Sequence, residues 1–317
     1  MLKSLVTGGA GFIGSHIAEA LCRRGAKVVV LDNLSLGSLK NLSWRQNGDD
    51  LDFVEGEITN DKLIRQLVSG CDWVFHEAAL PSVPISVAKP FESNQDTLVG
   101  SLQMLIAARD AKVRRFLFAS SSAIYGDHEA PLKDESLPPR PLSPYALQKY
   151  AAEKYCQLFH QLYGLETVSL RYFNVFGPRQ SFDSPYSGVI AKFCTQLLEG
   201  RRPVIFGDGL QSRDFVYIEN VVAANLLGAE RPAENIAGRV FNIGGGQSSH
   251  LLQLLGELNR LTKRNLEPQF EPSRPGDVRS SQADISAARR DLGYNPAITW
   301  QAGLAKTLEF YRGGGGH

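Results

Sequence analysis

A glycine-rich turn near the start of the chain, Thr7 to Gly14 (TGGAGFIG), constrains the fold more than any other feature. It follows a short apolar run, Leu2 to Val6, that is typical of a strand, and it leads into the helical apolar spacing of Phe12 to Arg24. A strand, a tight glycine turn and a helix N-terminus together bind the pyrophosphate of a dinucleotide. The next apolar run ends at Asp32, where the acidic ligand of the adenosine ribose is expected.

Strand-like and helix-like segments alternate along the first half of the chain. The apolar spacing predicts strands at 2–6, 28–31, 73–75, 116–119 and 167–170, and helices at 13–24, 61–68, 94–111 and 144–163. This alternation predicts an α/β fold, a Rossmann-type doubly wound parallel sheet with helices on both faces. Ligands bind such sheets at the carboxyl ends of the strands.

The second half is richer in Gly, Pro and Ser loops, and we interpret it as a smaller C-terminal substrate domain. A further strand is predicted at 240–243, so we expect the chain to return to the sheet and the two domains to be interleaved. The NAD-binding domain is predicted at 1–170 plus about 212–245, and the substrate domain at 171–211 plus about 246–312. Residues 313–317 are predicted to be a tail left from cloning.

Composition excludes several classes of partner. The 317 residues are 43% hydrophobic and carry a formal net charge of +1, without a basic run interleaved with aromatics, so neither nucleic acid nor an anionic membrane is an expected partner. No apolar stretch has the length of a membrane span, and no signal peptide precedes the first strand, so we expect a cytoplasmic protein. The four cysteines show no metal-ligand spacing and are predicted to be buried thiols, with no metal bound.

Tyr145 and Lys149 form the chemical centre of the prediction. Ser143-Pro144 is a typical helix start, and it places Tyr145 and Lys149 four residues apart on one helical face. An ammonium group beside a phenol favours the phenolate, so Lys149 is expected to lower the pKa of Tyr145 and make it a usable base. A serine run, Ser120 to Ser122, ends a predicted strand roughly two dozen residues earlier.

These segments together resemble the extended short-chain dehydrogenases/reductases, and specifically the nucleotide-sugar 4-epimerases, over the chain to Arg312. The resemblance implies Tyr145 as the base with Lys149 as its helper, and Ser121, with its neighbour Ser122, as the assisting hydroxyl. It implies NAD, tightly bound, as the cofactor, held by Gly8, Gly11, Phe12, Ile13, Gly14, Asp32, Asn33, Glu57, Ile58, Ala78, Ala79, Tyr145, Lys149 and Tyr172. It implies a UDP-sugar as the substrate, held by Val83, Ser121, Tyr145, Asn174, Val189, Lys192, Val204, Phe206, Arg213, Arg274, Asp277 and Ser281.

The choice of NAD over NADP depends on Asp32. No Arg or Lys follows it before Lys40, so a 2′-phosphate would meet repulsion without compensation. Two positions depart from the family pattern: Pro81 stands where some members have a lysine, and Thr97 stands where an Asn is usual. His76 is expected to be structural.

The residues after Ser121 favour one reaction. Family members that dehydrate a sugar carry an Asp-Glu pair where this chain has Ser122 and Ala123, so the expected reaction is inversion at C4 through a 4-keto sugar. The small Ser281 predicts room for a 2-acetamido group, hence UDP-Glc/UDP-Gal and UDP-GlcNAc/UDP-GalNAc as substrates. A UDP-glucuronate 4-epimerase or decarboxylase and a non-catalytic NAD-binding scaffold are the alternatives. The helices at 94–111 and 144–163 are expected to pair in a homodimer.

Overall fold

The computed structural model of the chain describes residues 1–181, 188–273 and 278–313. Within these ranges the strands are β1 (Lys3–Thr7), β2 (Lys27–Asp32), β3 (Leu51–Glu55), β4 (Trp73–His76), β5 (Arg115–Ser121), β6 (Glu166–Tyr172), β7 (Asn174–Phe176), β8 (Val204–Phe206), β9 (Ser212–Tyr217), β10 (Arg239–Ile243), β11 (Ser248–His250), β12 (Gln269–Glu271) and β13 (Ser280–Ser281). The α-helices are α1 (Phe12–Cys22), α2 (Asp61–Val68), α3 (Val83–Ala88), α4 (Pro90–Asn94), α5 (Gly100–Asp110), α6 (Pro144–Tyr163), α7 (Val189–Leu198), α8 (Ile218–Glu230), α9 (Ala233–Ile236), α10 (Leu251–Thr262) and α11 (Trp300–Arg312).

The central layer is a seven-stranded parallel sheet in the order β10-β6-β5-β4-β1-β2-β3. Its inner strands are runs of buried apolar residues, such as Val28 to Leu31 in β2, because helices cover both faces. From β1 the chain adds β2 and then β3 on one side, and afterwards β4, β5 and β6 on the other side. The strand order therefore reverses between β1 and β4, and such a reversal opens a crevice at the carboxyl edge of the sheet.

Two helical layers sandwich this sheet. On one face α1 and α8 bury Ile17, Leu21, Val221 and Ala224 in one apolar cluster. On the other face α2, α5 and α6 bury a second cluster that includes Met104. A π-helical turn, Gln95–Val99, joins α4 to α5, and 3₁₀ turns lie at Leu39–Leu42 and Ser122–Tyr125. Another π-helical turn lies at Ala288–Leu292.

A smaller lobe follows β6. Strand β9 lies at its centre, with β7 and β13 parallel to it and β11 antiparallel, and β8 pairs with β12. Helices α7, α10 and α11 pack against one another beside these strands. The chain then rejoins the large sheet through β10, so the two lobes are interleaved in sequence.

The predicted fold class is confirmed, since the large sheet is parallel and a smaller sheet accompanies it. The six strands predicted for the large sheet are all present, whereas the edge strand β3 was not predicted. Strand β9, which the predicted bounds assign to the NAD-binding domain, pairs in the smaller sheet, and α8 then contacts β5 and β6 of the large one. The domain bounds stay a prediction. Of the predicted tail, residues 314–317 lie outside the described ranges.

The cysteine prediction is confirmed: Cys22, Cys71, Cys156 and Cys194 are free and buried. None of the described helices combines the length and apolar character needed to cross a bilayer.

Candidate active site

A cavity of about 690 Å³ opens at the carboxyl edge of the large sheet, where the strand order reverses. Every residue predicted to hold the dinucleotide lines it: Gly8, Gly11, Phe12, Ile13, Gly14, Asp32, Asn33, Glu57, Ile58, Ala78, Ala79, Tyr145, Lys149 and Tyr172. The catalytic candidate Ser121 lines the same cavity. The glycine turn, Asp32, the serine run and the Tyr145–Lys149 segment therefore meet in one cavity.

The glycine turn shapes one end of the cavity. Gly8 has a φ of 66°, and a Cβ on it would lie 2.8 Å from the main-chain nitrogen of Ala78. A Cβ on Gly14 would lie 2.3 Å from the carbonyl oxygen of Gly8. Only glycine allows this close approach, which leaves the N-terminus of α1 open to the cavity. The unpaired N–H groups and the dipole of that helix favour a phosphate there.

Asp32 is oriented by the main chain around it. Its carboxylate accepts hydrogen bonds from the N–H groups of Ala10 at 3.0 Å and Leu34 at 2.8 Å. Gly37 closes over it so tightly that a Cβ there would lie 2.7 Å from Asp32 Oδ1. The side chain is thus fixed, and its oxygen atoms can accept hydrogen bonds from ribose hydroxyls in the cavity. Nearby, Asn33 Nδ2 donates to the Glu57 carboxylate at 3.0 Å.

Helix α6 presents the two catalytic candidates. Ser143 caps the helix by accepting a hydrogen bond from the N–H of Ala146, and Pro144 occupies its first turn. Ser121 lines the same cavity, and its side chain favours the ionised form of the Tyr145 phenol. Lys149 Nζ donates to the carbonyl oxygen of Ala119 at 2.8 Å, which fixes the ammonium group beside the end of β5.

Burial controls the charge of this pair. Burial raises the pKa of Tyr145 to about 12, the Ser121 hydrogen bond opposes that rise and the Glu77 charge adds to it. Burial lowers the pKa of Lys149 to about 8, with the Glu77 charge opposing. The sequence predicted a pKa of Tyr145 lowered by Lys149 together with a cationic nicotinamide; the protein's own groups raise it, and burial of the phenol is the largest influence. Additional positive charge in the cavity is therefore needed to make Tyr145 a base.

The predicted substrate residues gather around β9. Arg213 of β9 lies opposite Ser281 of β13, and Asn174 lies on β7, the other parallel neighbour. Asn174 Nδ2 donates to the carbonyl oxygen of Asp214 at 3.2 Å, and Arg213 Nη1 donates to that of Val278 at 2.6 Å. These three residues therefore lie in one small sheet, and none of them is among the described residues that line the cavity.

The remaining predicted residues are more scattered. Val83 begins α3, Val189 and Lys192 lie on α7, and Val204 and Phe206 lie on β8. Ser122 begins a 3₁₀ turn and, unlike Ser121, is not among the described residues that line the cavity. Arg274 and Asp277 lie outside the described residues.

Sequence reasoning missed several polar side chains that line the cavity. They are Lys40, Glu77, Asp96, Arg179 and Gln180. Glu77 comes directly after β4 and before Ala78, so its position at the strand end was the available signal. Arg179 follows Gly177-Pro178 with a φ of 67°; it pairs with Glu19, and its Nη1 is buried without a hydrogen-bond partner among the described residues.

His76 has the structural role that the sequence predicted. Its ring lies between the Thr7 hydroxyl, 2.8 Å from Nδ1, and the Ser101 hydroxyl, 2.9 Å from Nε2. Burial lowers the pKa of His76 to about 3, so the ring is neutral. Across the described ranges no cluster of His, Cys, Asp and Glu side chains could hold a metal ion.

Comparisons with known proteins agree with this geometry. Residues 4–244 match the NAD dependent epimerase/dehydratase family. The chain is 38% identical to the UDP-glucose 4-epimerase of Mycolicibacterium smegmatis over 98% of this chain and 99% of that protein. Two solved structures at 39% identity each cover 99% of both chains. They are a UDP-N-acetylglucosamine 4-epimerase from Methanobrevibacter ruminantium, with a TM-score of 0.94, and a UDP-glucose 4-epimerase from Thermotoga maritima, with a TM-score of 0.93.

A solved structure with a third activity is also similar to the chain. A UDP-glucuronic acid 4-epimerase from Bacillus cereus, in complex with UDP-glucuronic acid and NAD, is 32% identical over 98% of this chain and 99% of that chain, with a TM-score of 0.89. The tight turn from Gly8 to Gly14 and the fixed Asp32 carboxylate of the present chain fit the NAD that this structure contains.

Proposed function

Because the chain belongs to the NAD-dependent epimerase/dehydratase family, we propose that it inverts the configuration at C4 of a UDP-hexose through a 4-keto intermediate. The observation that carries this proposal is the placement of Ser121, Tyr145 and Lys149 together on the wall of the NAD cavity. The two residues after Ser121 are Ser122 and Ala123, which cannot supply the proton donors of a dehydration.

Each side chain has a defined task in this reaction. Tyr145 takes the proton of the sugar's 4-hydroxyl, and Ser121, which lines the same cavity, hydrogen-bonds to that hydroxyl and positions it. Lys149 contributes the positive charge that favours the phenolate. When bound, NAD takes a hydride from C4 and returns it to the opposite face of the ketone. Tyr145 then gives its proton back, so one residue acts as base and acid in turn.

NAD is the cofactor of this family, and the cavity shows which residues would hold it. The N-terminus of α1, approached through Gly8, Gly11 and Gly14, suits the diphosphate. Asp32 suits the adenosine ribose, and its negative charge excludes a 2′-phosphate. Lys149 and Tyr145 lie at the other end, where the chemistry occurs.

The substrate residues around β9 support a UDP-sugar. Guanidinium groups bind diphosphates through forked hydrogen bonds, and we propose Arg213 and Arg274 for that contact, with Asn174 beside them. Val204 and Phe206 are proposed to hold the uracil, and Val83 and Lys192 to line the sugar pocket. Val189 and Asp277 are proposed to complete the substrate site. Ser281 is small and lies opposite Arg213, which supports room for a 2-acetamido group. UDP-Glc/UDP-Gal and UDP-GlcNAc/UDP-GalNAc are therefore the proposed substrate pairs.

The exposed face of α6 supports a homodimer. Leu147, Leu158 and Leu162 are exposed by 55%, 44% and 66%. Their spacings of 11 and 15 residues place them within about 60° around the helix, at roughly 100° per residue. Such an apolar stripe on an otherwise amphipathic helix is typical of a helix that packs against a second copy.

UDP-glucuronate is the second candidate substrate, because a UDP-glucuronic acid epimerase is among the similar structures. The deciding experiment is NMR analysis of the products formed from UDP-glucose, UDP-GlcNAc and UDP-glucuronate, each incubated separately with the purified protein. The 4-epimer of UDP-glucose or UDP-GlcNAc supports the proposal. Turnover of UDP-glucuronate alone, to its epimer or to a decarboxylated pentose, contradicts it.

A further inference from the structure

Glu77 is an acidic side chain in the NAD cavity with no task in the mechanism above. It follows β4, and its carboxylate accepts a hydrogen bond from the Tyr172 hydroxyl at 2.9 Å. Asn225 Nδ2 donates to the same hydroxyl at 2.8 Å and to the carbonyl oxygen of Val221 at 2.9 Å. The Tyr172 hydroxyl also lies 3.1 Å from Asn225 Oδ1. The contact with Val221 orients the Asn225 amide so that its Nδ2 donates to Tyr172, and the Tyr172 proton goes to the nearer Glu77 oxygen. This directed chain holds the carboxylate in place.

Glu77 interacts electrostatically with the reacting end of the cavity. Its charge raises the pKa values of both Lys149 and Tyr145, which approach it from α6. Tyr172, on β6, faces Glu77 directly. Asn225, on α8, carries no charge, and His76, which precedes Glu77 in the chain, is neutral. Burial raises the pKa of Glu77 to about 7, while the Tyr172 hydrogen bond and Lys149 oppose that rise. The carboxyl group therefore titrates in the physiological range.

The chemistry places the nicotinamide near this group. The carbon that loses hydride carries the hydroxyl held by Tyr145, and reacting atoms must approach within about 3–3.5 Å. The nicotinamide must therefore lie at the Tyr145 end of the cavity. Glu77 lines the same cavity, and its charge acts on both Tyr145 and Lys149, which places it near that end. The ring is positively charged in NAD⁺ and neutral in NADH, so a carboxylate beside it interacts differently with the two forms.

We propose that the Glu77 carboxylate makes the protein favour NAD⁺ over NADH and so drives the hydride back to the keto sugar. In the first half-reaction the C4–H bond breaks, its electron pair moves with the hydrogen to the ring, and the 4-hydroxyl proton moves to Tyr145. The ring then has no positive charge to balance Glu77, and the second half-reaction, which reverses both transfers on the other face, restores that balance. Each catalytic cycle thus ends with oxidised cofactor.

The inference relies on NAD and on Tyr145 as the base, and not on which sugar is the substrate. It is tested without sugar, by equilibrating the holoprotein with a redox dye and recording the absorbance of the bound reduced nicotinamide. Glu77→Gln keeps an acceptor for Tyr172 and removes the charge. We expect it to raise the reduction potential at pH 8 by about 30 mV, which corresponds to a tenfold change in the NAD⁺/NADH preference. At pH 5.5, where Glu77 is protonated, the difference should disappear.

Two further variants separate charge from structure. Tyr172→Phe removes the hydrogen bond to Glu77 but keeps the Glu77 carboxylate. The reduction potential of the bound nicotinamide at pH 9 should therefore equal that of wild type. The pH at which Glu77 begins to affect this potential should be higher, because the carboxylate has lost a hydrogen bond. Loss of the Glu77 charge also lowers the pKa of Lys149, so the Glu77→Gln comparison is repeated in a Lys149→Met background. A potential unchanged by Glu77→Gln in both backgrounds, a shift of the same size at pH 5.5 and pH 8, or a Tyr172→Phe shift that persists at pH 9 would overturn the inference.

Discussion

Replacement of Lys149 by Met should shift the pH dependence of catalysis rather than reduce activity uniformly. Burial raises the pKa of Tyr145 to about 12, so its action as a base near neutral pH depends on every positive charge beside it, that of Lys149 and that of the nicotinamide included. Lys149 lies one helical turn away, and side chains at that spacing are about 6 Å apart. At an effective dielectric constant of about 20, one charge at that distance contributes about 2.8 kcal/mol, or about two pKa units.

The expected result is a rise of about two units in the pH midpoint for activity, with a loss of roughly 100-fold at pH 7 that recovers tenfold per pH unit. The measurement is kcat against pH with UDP-glucose. Lys154→Met is the matched control, because Lys154 is an exposed lysine of the same helix that contacts Gln157 and the Tyr150 ring rather than the catalytic candidates. A uniform loss at all pH values, with an unmoved midpoint, would refute the electrostatic role and indicate that Lys149 acts only by holding the cofactor.

Three other substitutions test the remaining assignments. Tyr145→Phe should lower kcat by roughly 10²- to 10⁴-fold while NAD and UDP-sugar still bind; turnover within tenfold of wild type contradicts the assignment. Asp32→Ala should weaken NAD binding by about 1.5–3 kcal/mol, measured by calorimetry, and equal affinity of wild type for NADP would show that Asp32 does not select the cofactor. Ser281→Tyr should reduce UDP-GlcNAc epimerisation by about 30- to 150-fold relative to UDP-glucose, from a steric mismatch of ~2–3 kcal/mol. Equal effects on both sugars would place Ser281 away from the acetamido group.

The large sheet and the cofactor cavity could be predicted from the sequence because their signals are local. A buried strand such as β2 shows an unbroken apolar run, and the Gly8–Gly14 turn requires glycine for steric reasons that no distant residue can alter. Strand β3 was missed because it lies at the sheet edge, where only Leu51 is buried and the apolar pattern is weak.

The electrostatics of the site could not be predicted from local patterns. The pKa of Tyr145 depends on how much solvent the folded chain excludes, and its spacing from Lys149 carries no information about that. Glu77 affects the same pair from a different strand, across a contact that exists only after β4 and α6 have packed beside β5. Its position next to Ala78 was visible, but the direction of its side chain was not.

The pairing of β10 with β6 has a consequence for dissecting the molecule. The edge of the nucleotide-binding sheet is supplied by residues 239–243, and α8, at 218–230, covers part of one face. A fragment ending near residue 170 would expose the full edge of β6 and the apolar surface that α8 buries, and such surfaces promote aggregation. The nucleotide-binding half therefore cannot be excised as a contiguous gene segment, and domain exchange with related enzymes would require two crossovers rather than one.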